Sequence, residues 1–137
     1  MTKTRARSIV LIVFVLGGLV ILSAQEKKPT KIAIASDGET INAQVGDKAA
    51  RCRWLLFFDK KGKLTETLEN PYQQERGGAG TKCAELLADN KATVFIAGYV
   101  GNKMAAALEG NDITFISFTG TVEDAITHIL ENLTGKS

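Results

Sequence analysis

Residues 31–38 read Lys31-Ile32-Ala33-Ile34-Ala35-Ser36-Asp37-Gly38. The run is short and apolar, and turn-forming residues follow it at once, which is typical of a buried strand that ends in a turn. It is predicted to be the first strand of a sheet, and the rest of the chain can be placed relative to it.

Two more strands are predicted directly after the first. Residues 40–44 are predicted as the second strand, and the aromatic run at residues 53–59 as the third, closed by a tight turn at residues 60–63. Residues 64–68 would continue as a frayed strand. Short turns between these strands indicate an antiparallel meander. A polar loop at residues 70–80 follows, near the upper end of ordinary loop length, where functional loops are common.

From Thr81 onward the pattern alternates between helix and strand. Helices are predicted from Thr81 to residue 90, over residues 101–109 and from an N-cap at Thr121, with buried strands at residues 93–97 and 113–118. The two crossovers are right-handed and make their strands parallel to the first. The predicted fold class is therefore α/β, a mixed five-stranded sheet of order 3-2-1-4-5 with three helices.

Three glycine-containing corners are predicted at one edge of this sheet. They are Ser36-Asp37-Gly38, Gly98-Tyr99-Val100-Gly101 and Gly120-Thr121. Ligands of such sheets bind outside the carboxyl ends of the strands, at the point where the strand order reverses. Helices that start at Thr81, Gly101 and Thr121 would direct unpaired N–H groups to this edge. The pattern favours an anionic ligand.

The N-terminus has the layout of a secretory signal. Residues 1–7 contain three basic side chains, residues 9–22 are 14 consecutive apolar or glycine residues, and the chain then turns polar. Residues 1–24 are predicted to be a signal peptide or, if uncleaved, a membrane anchor through residues 8–24; a buried core helix is the third interpretation. Residues 25–30 are a linker and 31–137 the folded domain. The predicted location is periplasmic or otherwise extracytoplasmic, with the inner membrane as the anchored alternative.

Composition excludes some partners. The chain has 137 residues, enough for one domain, and a formal net charge of +2. Without the three basic residues before the apolar run, 14 basic and 15 acidic residues remain. Such a balance argues against a nucleic-acid partner, whose phosphates require several neutralising charges.

The two cysteines leave three alternatives open. Cys83 lies in the first turn of a predicted helix beside Lys82, where the dipole and the cation would lower the thiol pKa and favour a metal-binding thiolate. Cys52 and Cys83 could instead form a disulfide or be separate buried thiols. One histidine and two cysteines are too few for an ordinary zinc site, and His128 is predicted to be a structural residue of the last helix.

Four segments carry a family resemblance. They are residues 31–38, Gly77-Gly78-Ala79-Gly80, the strand that runs into Gly98-Tyr99-Val100-Gly101, and residues 120–126. Their order and spacing resemble the dinitrogenase iron-molybdenum cofactor biosynthesis family, the NifX-like proteins, over residues 31–133. The resemblance implies a ribonuclease-H-like fold and a non-enzymatic protein that binds or carries an iron–sulfur or molybdenum-containing cluster.

One triplet departs from the family pattern. Family members commonly have His-Phe-Gly after the first turn, and the corresponding residues here are Gln44-Val45-Gly46. An amide is a poorer ligand for iron than an imidazole. An interaction module that has lost its metal site is therefore an alternative function, and a thiol–disulfide redox protein is another.

The leading hypothesis is an exported, non-enzymatic carrier of an anionic metal–sulfur cluster, with a cluster donor or acceptor protein as its partner. The predicted ligands are two thiols, Cys83 and Cys52. The predicted anion-binding residues are Ser36, Asp37, Gly38, Gln44, Arg51, Gly77, Gly78, Gly80, Thr81, Lys82, Gly98 and Gly101. Nuclease activity is not expected because the acidic residues are scattered, and the glycine-rich loop lacks the ending of a nucleotide-binding P-loop.

Overall fold

The structure is a computed structural model that describes residues 8–15, 18–25 and 29–133. The strands are β1 (Ser8–Val15), β2 (Gly18–Gln25), β3 (Lys31–Ser36), β4 (Trp54–Asp59), β5 (Leu64–Glu69), β6 (Val94–Ala97) and β7 (Thr114–Ser117). The helices are α1 (Ala79–Asp89), α2 (Asn102–Gly110) and α3 (Val122–Leu133), with a 3-10 turn at Ala49–Arg51.

The central sheet has the order β5-β4-β3-β6-β7. β3 pairs antiparallel with β4 and parallel with β6, while β7 pairs parallel with β6 and β5 antiparallel with β4. The predicted α/β class, the order 3-2-1-4-5 and the three α-helices are confirmed.

The predicted second and third strands are wrong, because each observed strand comes one predicted segment later in the chain. Residues 40–44 are a loop, the second strand is β4, and the predicted frayed segment is the third strand, β5. The backbone of residues 41–46 bonds mostly to the corners that follow β6 and β7, and it meets β3 only at the end of that strand, where Gly46 N–H donates to Ala35 O and Asp37 N–H to Gln44 O. The Asp59 carboxylate accepts the N–H groups of Lys61 and Lys63 and thereby shapes the β4–β5 turn.

Helices cover both faces of the sheet. Alternate residues of a strand point to opposite faces, so Ala33 and Ala35 pack in the core under α1 and α2, while Ile32 and Ile34 pack in the core under α3. This three-layer arrangement puts the N-termini of all three helices at the edge where β3, β6 and β7 end.

The N-terminal strands form a separate sheet. β1 pairs antiparallel with β2, from Ser8 opposite Gln25 to Val15 opposite Gly18. The interpretation of this run as a core helix is therefore wrong. Within the described ranges, no helix has the length and apolar character needed to cross a membrane. Part of the predicted leader and linker, residues 1–7, 16–17 and 26–28, lies outside the described residues, and the signal-peptide and anchor interpretations stay predictions.

Candidate functional site

The three predicted corners do meet at one edge of the sheet. Residues 37–48, called the crossing loop below, run across the ends of β3, β6 and β7. The crossing loop is joined to the corners by backbone hydrogen bonds: Gly46 N–H to Ala35 O (2.7 Å), Gly98 N–H to Gly46 O (2.8 Å) and Val45 N–H to Gly120 O (2.9 Å). The expected gathering of the corners is confirmed, with a loop between them that was not expected.

The α3 half of this edge is occupied by the chain itself. The first three N–H groups of α3 have acceptors: Val122 N–H donates to Ala43 O (2.9 Å), Glu123 N–H to Ile41 O (2.9 Å) and Asp124 N–H to Thr121 Oγ1 (3.0 Å). The cap at Thr121 is confirmed. The expectation that α3 presents unpaired N–H groups to a ligand is wrong, because the crossing loop accepts the first two and Thr121 accepts the third. We call the start of α3, the crossing loop, and Ser36 and Gly98, which bond to or bridge with this loop, the closed rim.

Glycines of the closed rim allow close backbone approach. A Cβ on Gly98 would lie 2.8 Å from the Asp47 carbonyl oxygen, and one on Gly46 would lie 2.9 Å from Cys52 Cβ. A Cβ on Gly38 would lie 3.0 Å from Ala43 Cβ. Gly38 and Gly98 therefore serve packing, and the open cradle predicted at these two positions is not there.

The other predicted residues of the closed rim differ in exposure. Ser36 is buried, and its hydroxyl donates to Gly38 O at 2.6 Å and accepts from Gly38 N–H at 3.1 Å. Asp37 and Gln44 are exposed, and Gln44 forms a bridge to Thr121. Val45 packs in the core under α3. Of the triplet at residues 44–46, only Gln44 is therefore exposed at the surface.

The starts of α1 and α2 form an open half of the same edge. They adjoin closely, because a Cβ on Gly80 would lie 2.9 Å from Met104 Cβ. A Cβ on Gly77, Gly78 or Gly101 would meet no atom within 4 Å. We call residues 77–82 and 101–104 the open rim. None of the described residues accepts a hydrogen bond from the N–H groups of residues 79–81 or 102–104.

The N-cap of α1 differs from the prediction. The helix begins at Ala79, and Gly78 is the N-cap with a left-handed backbone (φ 75°, ψ 14°). Thr81 is exposed within the first turn instead of capping it. A left-handed residue followed by helical residues directs successive N–H groups into one concavity, an arrangement that binds anions in many proteins.

Two predicted cations, Lys82 in the open rim and Arg51 beside it, contact the same residue, Glu75. Lys82 Nζ lies 2.6 Å from Glu75 Oε2, and this pair raises the pKa of Lys82. Arg51 donates to the backbone carbonyls of Gln73, at 3.2 Å, and of Glu75. We call residues 70–76 the strap. The strap is thus tied to both cations.

Asn70 anchors the strap and was missed in the sequence. Its side chain is buried, and Nδ2 donates to the carbonyls of Ala50 (2.9 Å) and Cys52 (2.8 Å), while Oδ1 accepts from Tyr72 N–H (2.9 Å). The Asn-Pro pair at residues 70–71 was a local signal for a turn. It carried no information about the distant carbonyls.

The two cysteines are free and buried, with 4% of Cys52 and 0% of Cys83 exposed. The pKa of each thiol is raised to about 12, at Cys83 by burial and at Cys52 by burial together with a smaller contribution from the neighbouring Cys83. The disulfide interpretation and the lowered pKa of Cys83 are therefore wrong. Cys83 faces the core under α1, where loss of solvation outweighs the helix dipole and Lys82.

Metal ligands do not cluster in the described part of the chain, where no group of three or more His, Cys, Asp or Glu side chains could hold an ion. His128 is exposed, with its ring centroid 5.5 Å from that of Phe118 and Nε2 3.4 Å from Asn132 Nδ2. Its place on α3 is remote from the open rim.

Comparison with protein families decides the identity of the domain. The family described as dinitrogenase iron-molybdenum cofactor matches residues 30–132. The chain belongs to this family. The resemblance inferred from the glycine corners is confirmed, and the family is linked to binding or carrying the cofactor.

Solved structures share the family architecture. The apo form of the orange protein from Desulfovibrio gigas is 28% identical with a TM-score of 0.71, covering 76% of this chain and 89% of that chain. A putative NifB protein from Thermotoga, TM1290, is 28% identical with a TM-score of 0.65, covering 74% and 88%. PH0822, 20% identical with a TM-score of 0.64 over 78% and 93%, shares the fold. No curated protein matches the chain.

Proposed function

We propose that this protein is a non-enzymatic carrier of an anionic metal–sulfur cluster, iron–sulfur or molybdenum-containing, and that the open rim holds the cluster. Family membership and the likeness to the apo orange protein support the class of cargo. The observation that carries the site is the junction of two helix N-termini with three unhindered glycines: Gly77, Gly78 and Gly101.

Backbone N–H groups supply the attraction for the cluster. The dipoles of α1 and α2 place partial positive charge at their N-termini, and these two termini adjoin at Gly80 and Met104. The left-handed Gly78 adds the concave arrangement of N–H groups. Lys82 and Arg51 add cationic side chains beside it. This donor set suits an anion held by hydrogen bonds and charge.

Thiolate coordination fits the structure less well. Both thiols are protonated at neutral pH because burial raises each pKa to about 12. The thiolate is the form that binds soft metals and also the form that exchanges disulfides. The structure therefore favours capture without covalent ligation, and the same burial argues against the thiol–disulfide redox alternative.

Reversible electrostatic capture suits a carrier, which must release its cargo to an acceptor protein. Salt screens exposed charges, so affinity for the cluster should fall as ionic strength rises. Export remains part of this proposal. It predicts that mature protein from cell fractions is extracytoplasmic, either shortened by residues 1–24 or held in the membrane through residues 8–24.

The test starts from the full chain purified without oxygen. Metal and sulfide analysis with a visible absorption spectrum reports any cluster retained, and titration with tetrathiomolybdate measures capture of a molybdenum–sulfur anion. Lys82→Gln should weaken this binding about three- to tenfold. The matched control Lys60→Gln, in the β4–β5 turn at the opposite end of β3, should leave it unchanged. Cys83→Ala should keep the binding.

Two results would contradict the proposal. A wild-type protein that is isolated without metal and fails to bind either reconstituted iron–sulfur or tetrathiomolybdate has no such cargo. Binding that disappears in Cys83→Ala but is unchanged in Lys82→Gln places the ligand on a thiol inside the α1 core instead of on the open rim.

A second candidate function is an interaction module without a cluster. It is favoured by Gln44 at the closed rim and by Tyr99, a residue that is 63% exposed between Lys48 and the open rim. Exposed aromatic residues are common anchors of protein interfaces. The metal-free outcome described above would favour this function over the carrier.

A further inference from the structure

Glu75 is bonded to both cations predicted to bind the anion. Its carboxylate lies 2.6 Å from Lys82 Nζ, and its backbone carbonyl accepts from Arg51. The side chains of Lys82 and Glu75 are 46% and 34% exposed, so water and ions reach the pair. In this state of the protein, a carboxylate of the strap occupies the position at Lys82 that an anionic cargo would take.

We propose that Glu75 is an internal competitor of the cargo, which sets the affinity of the open rim by occupying Lys82; this inference rests on the proposed function. A bound anion displaces the Glu75 carboxylate from Lys82, and the carboxylate then turns to solvent. Since exposed ion pairs contribute little free energy, Glu75 lowers the affinity by a small factor and does not block the site. A carrier gains easier release from such a competitor.

Displacement also connects the cargo to the strap. Arg51 continues to hold the strap by its backbone carbonyls, and the Asn70 side chain continues to hold it to Ala50 and Cys52, so only the Lys82 contact is exchanged. Coupling between two binding events is reciprocal, and the affinity of the anion and the occupancy of the Lys82–Glu75 pair must change together. The strap therefore differs between the empty and loaded carrier at Glu75.

Five full-length proteins test the competition by titration with tetrathiomolybdate at low salt. They are the wild type, Glu75→Gln, Glu85→Gln, Lys82→Gln and the double variant Glu75→Gln/Lys82→Gln. Glu85→Gln is the matched control because Glu85 lies on α1, is exposed, and only influences Lys82 through its charge. Glu75→Gln and Glu85→Gln have the same net charge, so a difference in affinity between them reports the contact of Glu75 with Lys82 and not the overall electrostatic field.

Glu75→Gln should bind the probe about two- to fivefold more tightly than the wild type, and Glu85→Gln should change affinity by much less. The gain should vanish when Lys82 is already replaced, because Glu75 acts through that cation. Equal gains in Glu75→Gln and Glu85→Gln, or a gain that survives without Lys82, would overturn the competition. If the wild type binds the probe and Glu75→Gln binds it with the same affinity, the competition is overturned while the carrier function stands. Absence of binding in every protein would reject the carrier function and this inference with it.

Discussion

The two halves of one sheet edge use the same sequence features in opposite ways. At the closed rim, glycines admit the crossing loop, whose carbonyls accept the first N–H groups of α3. At the open rim, Gly77, Gly78 and Gly101 face empty space while Gly80 packs against Met104, and none of the described residues accepts from the first N–H groups of α1 and α2. A glycine corner beside a helix start can thus be a packing site or a ligand cradle, and only the tertiary contacts distinguish them.

The largest expected effect concerns the thiols behind the open rim. At pH 8, Cys52 and Cys83 should be alkylated about a thousandfold more slowly in the folded protein than in urea, because burial raises each pKa from 9.0 to about 12. The rate of iodoacetamide modification, followed by mass spectrometry between pH 7 and pH 10, measures this. Fast modification of folded Cys83 would return a thiolate to the list of ligands for the open rim.

Replacing one glycine in each half should separate their roles. Gly98→Ala places a Cβ 2.8 Å from the Asp47 carbonyl oxygen, so the crossing loop must shift, and the free energy of unfolding should fall by up to about 3 kcal/mol. Gly101→Ala is the matched control, since its backbone (φ −69°, ψ 162°) suits alanine and its Cβ meets nothing within 4 Å. Its stability should change by no more than about 0.5 kcal/mol.

Urea unfolding of both variants measures the difference. Similar losses in the two would mean that the crossing loop does not depend on the close approach at Gly98, and the distinction between the two halves would be lost. The dependence of the unfolding free energy on urea concentration is compared between the variants first, because a change in this slope would indicate an altered denatured state.

The next largest effect on stability is expected at Asn70, the residue that anchors the strap. Asn70→Ala removes two donors and leaves the carbonyls of Ala50 and Cys52 without this partner, so we expect a loss of about 2 kcal/mol in the free energy of unfolding. Because the strap carries Glu75, its hydrogen exchange should also become faster. Asn132→Ala, at an exposed position of α3, is the control and should be within about 0.5 kcal/mol of wild type. Unchanged exchange in the strap would show that Arg51 and Lys82 position it without Asn70.

Much of this architecture could be predicted because it depends on local patterns. The apolar run before Ser36 and the apolar periodicity after Thr121 identified β3 and α3, and connection rules then set the sheet order. The crossing loop could not be predicted, because the acceptors of Val122 and Glu123 lie some 80 residues earlier in the chain. A polar run between two strands has the same composition whether it forms a strand or bridges other loops.

The candidate site was predicted less completely for a related reason. The two predicted cations do lie beside the open rim, but the partner they share, Glu75, is in a loop whose composition says nothing about contacts. The helix position of Cys83 favoured a reactive thiolate, whereas the face of α1 on which it lies decided its pKa. Burial depends on the assembled core, and it raises the thiol pKa by more than the helix dipole, which the sequence does indicate, can lower it.

The smallest effect gives the sharpest comparison of the two rims. Thr121→Ala removes the hydroxyl that accepts Asp124 N–H at 3.0 Å, which should lower the free energy of unfolding by about 1 kcal/mol. Affinity for tetrathiomolybdate should stay unchanged, because the crossing loop still accepts the N–H groups of Val122 and Glu123. Urea unfolding and the anion titration test these two expectations on the same protein. If the start of α3 only caps the helix and packs against the crossing loop, it contributes to folding and not to anion binding. A Thr121→Ala variant with weaker binding and wild-type stability would therefore place the ligand against α3.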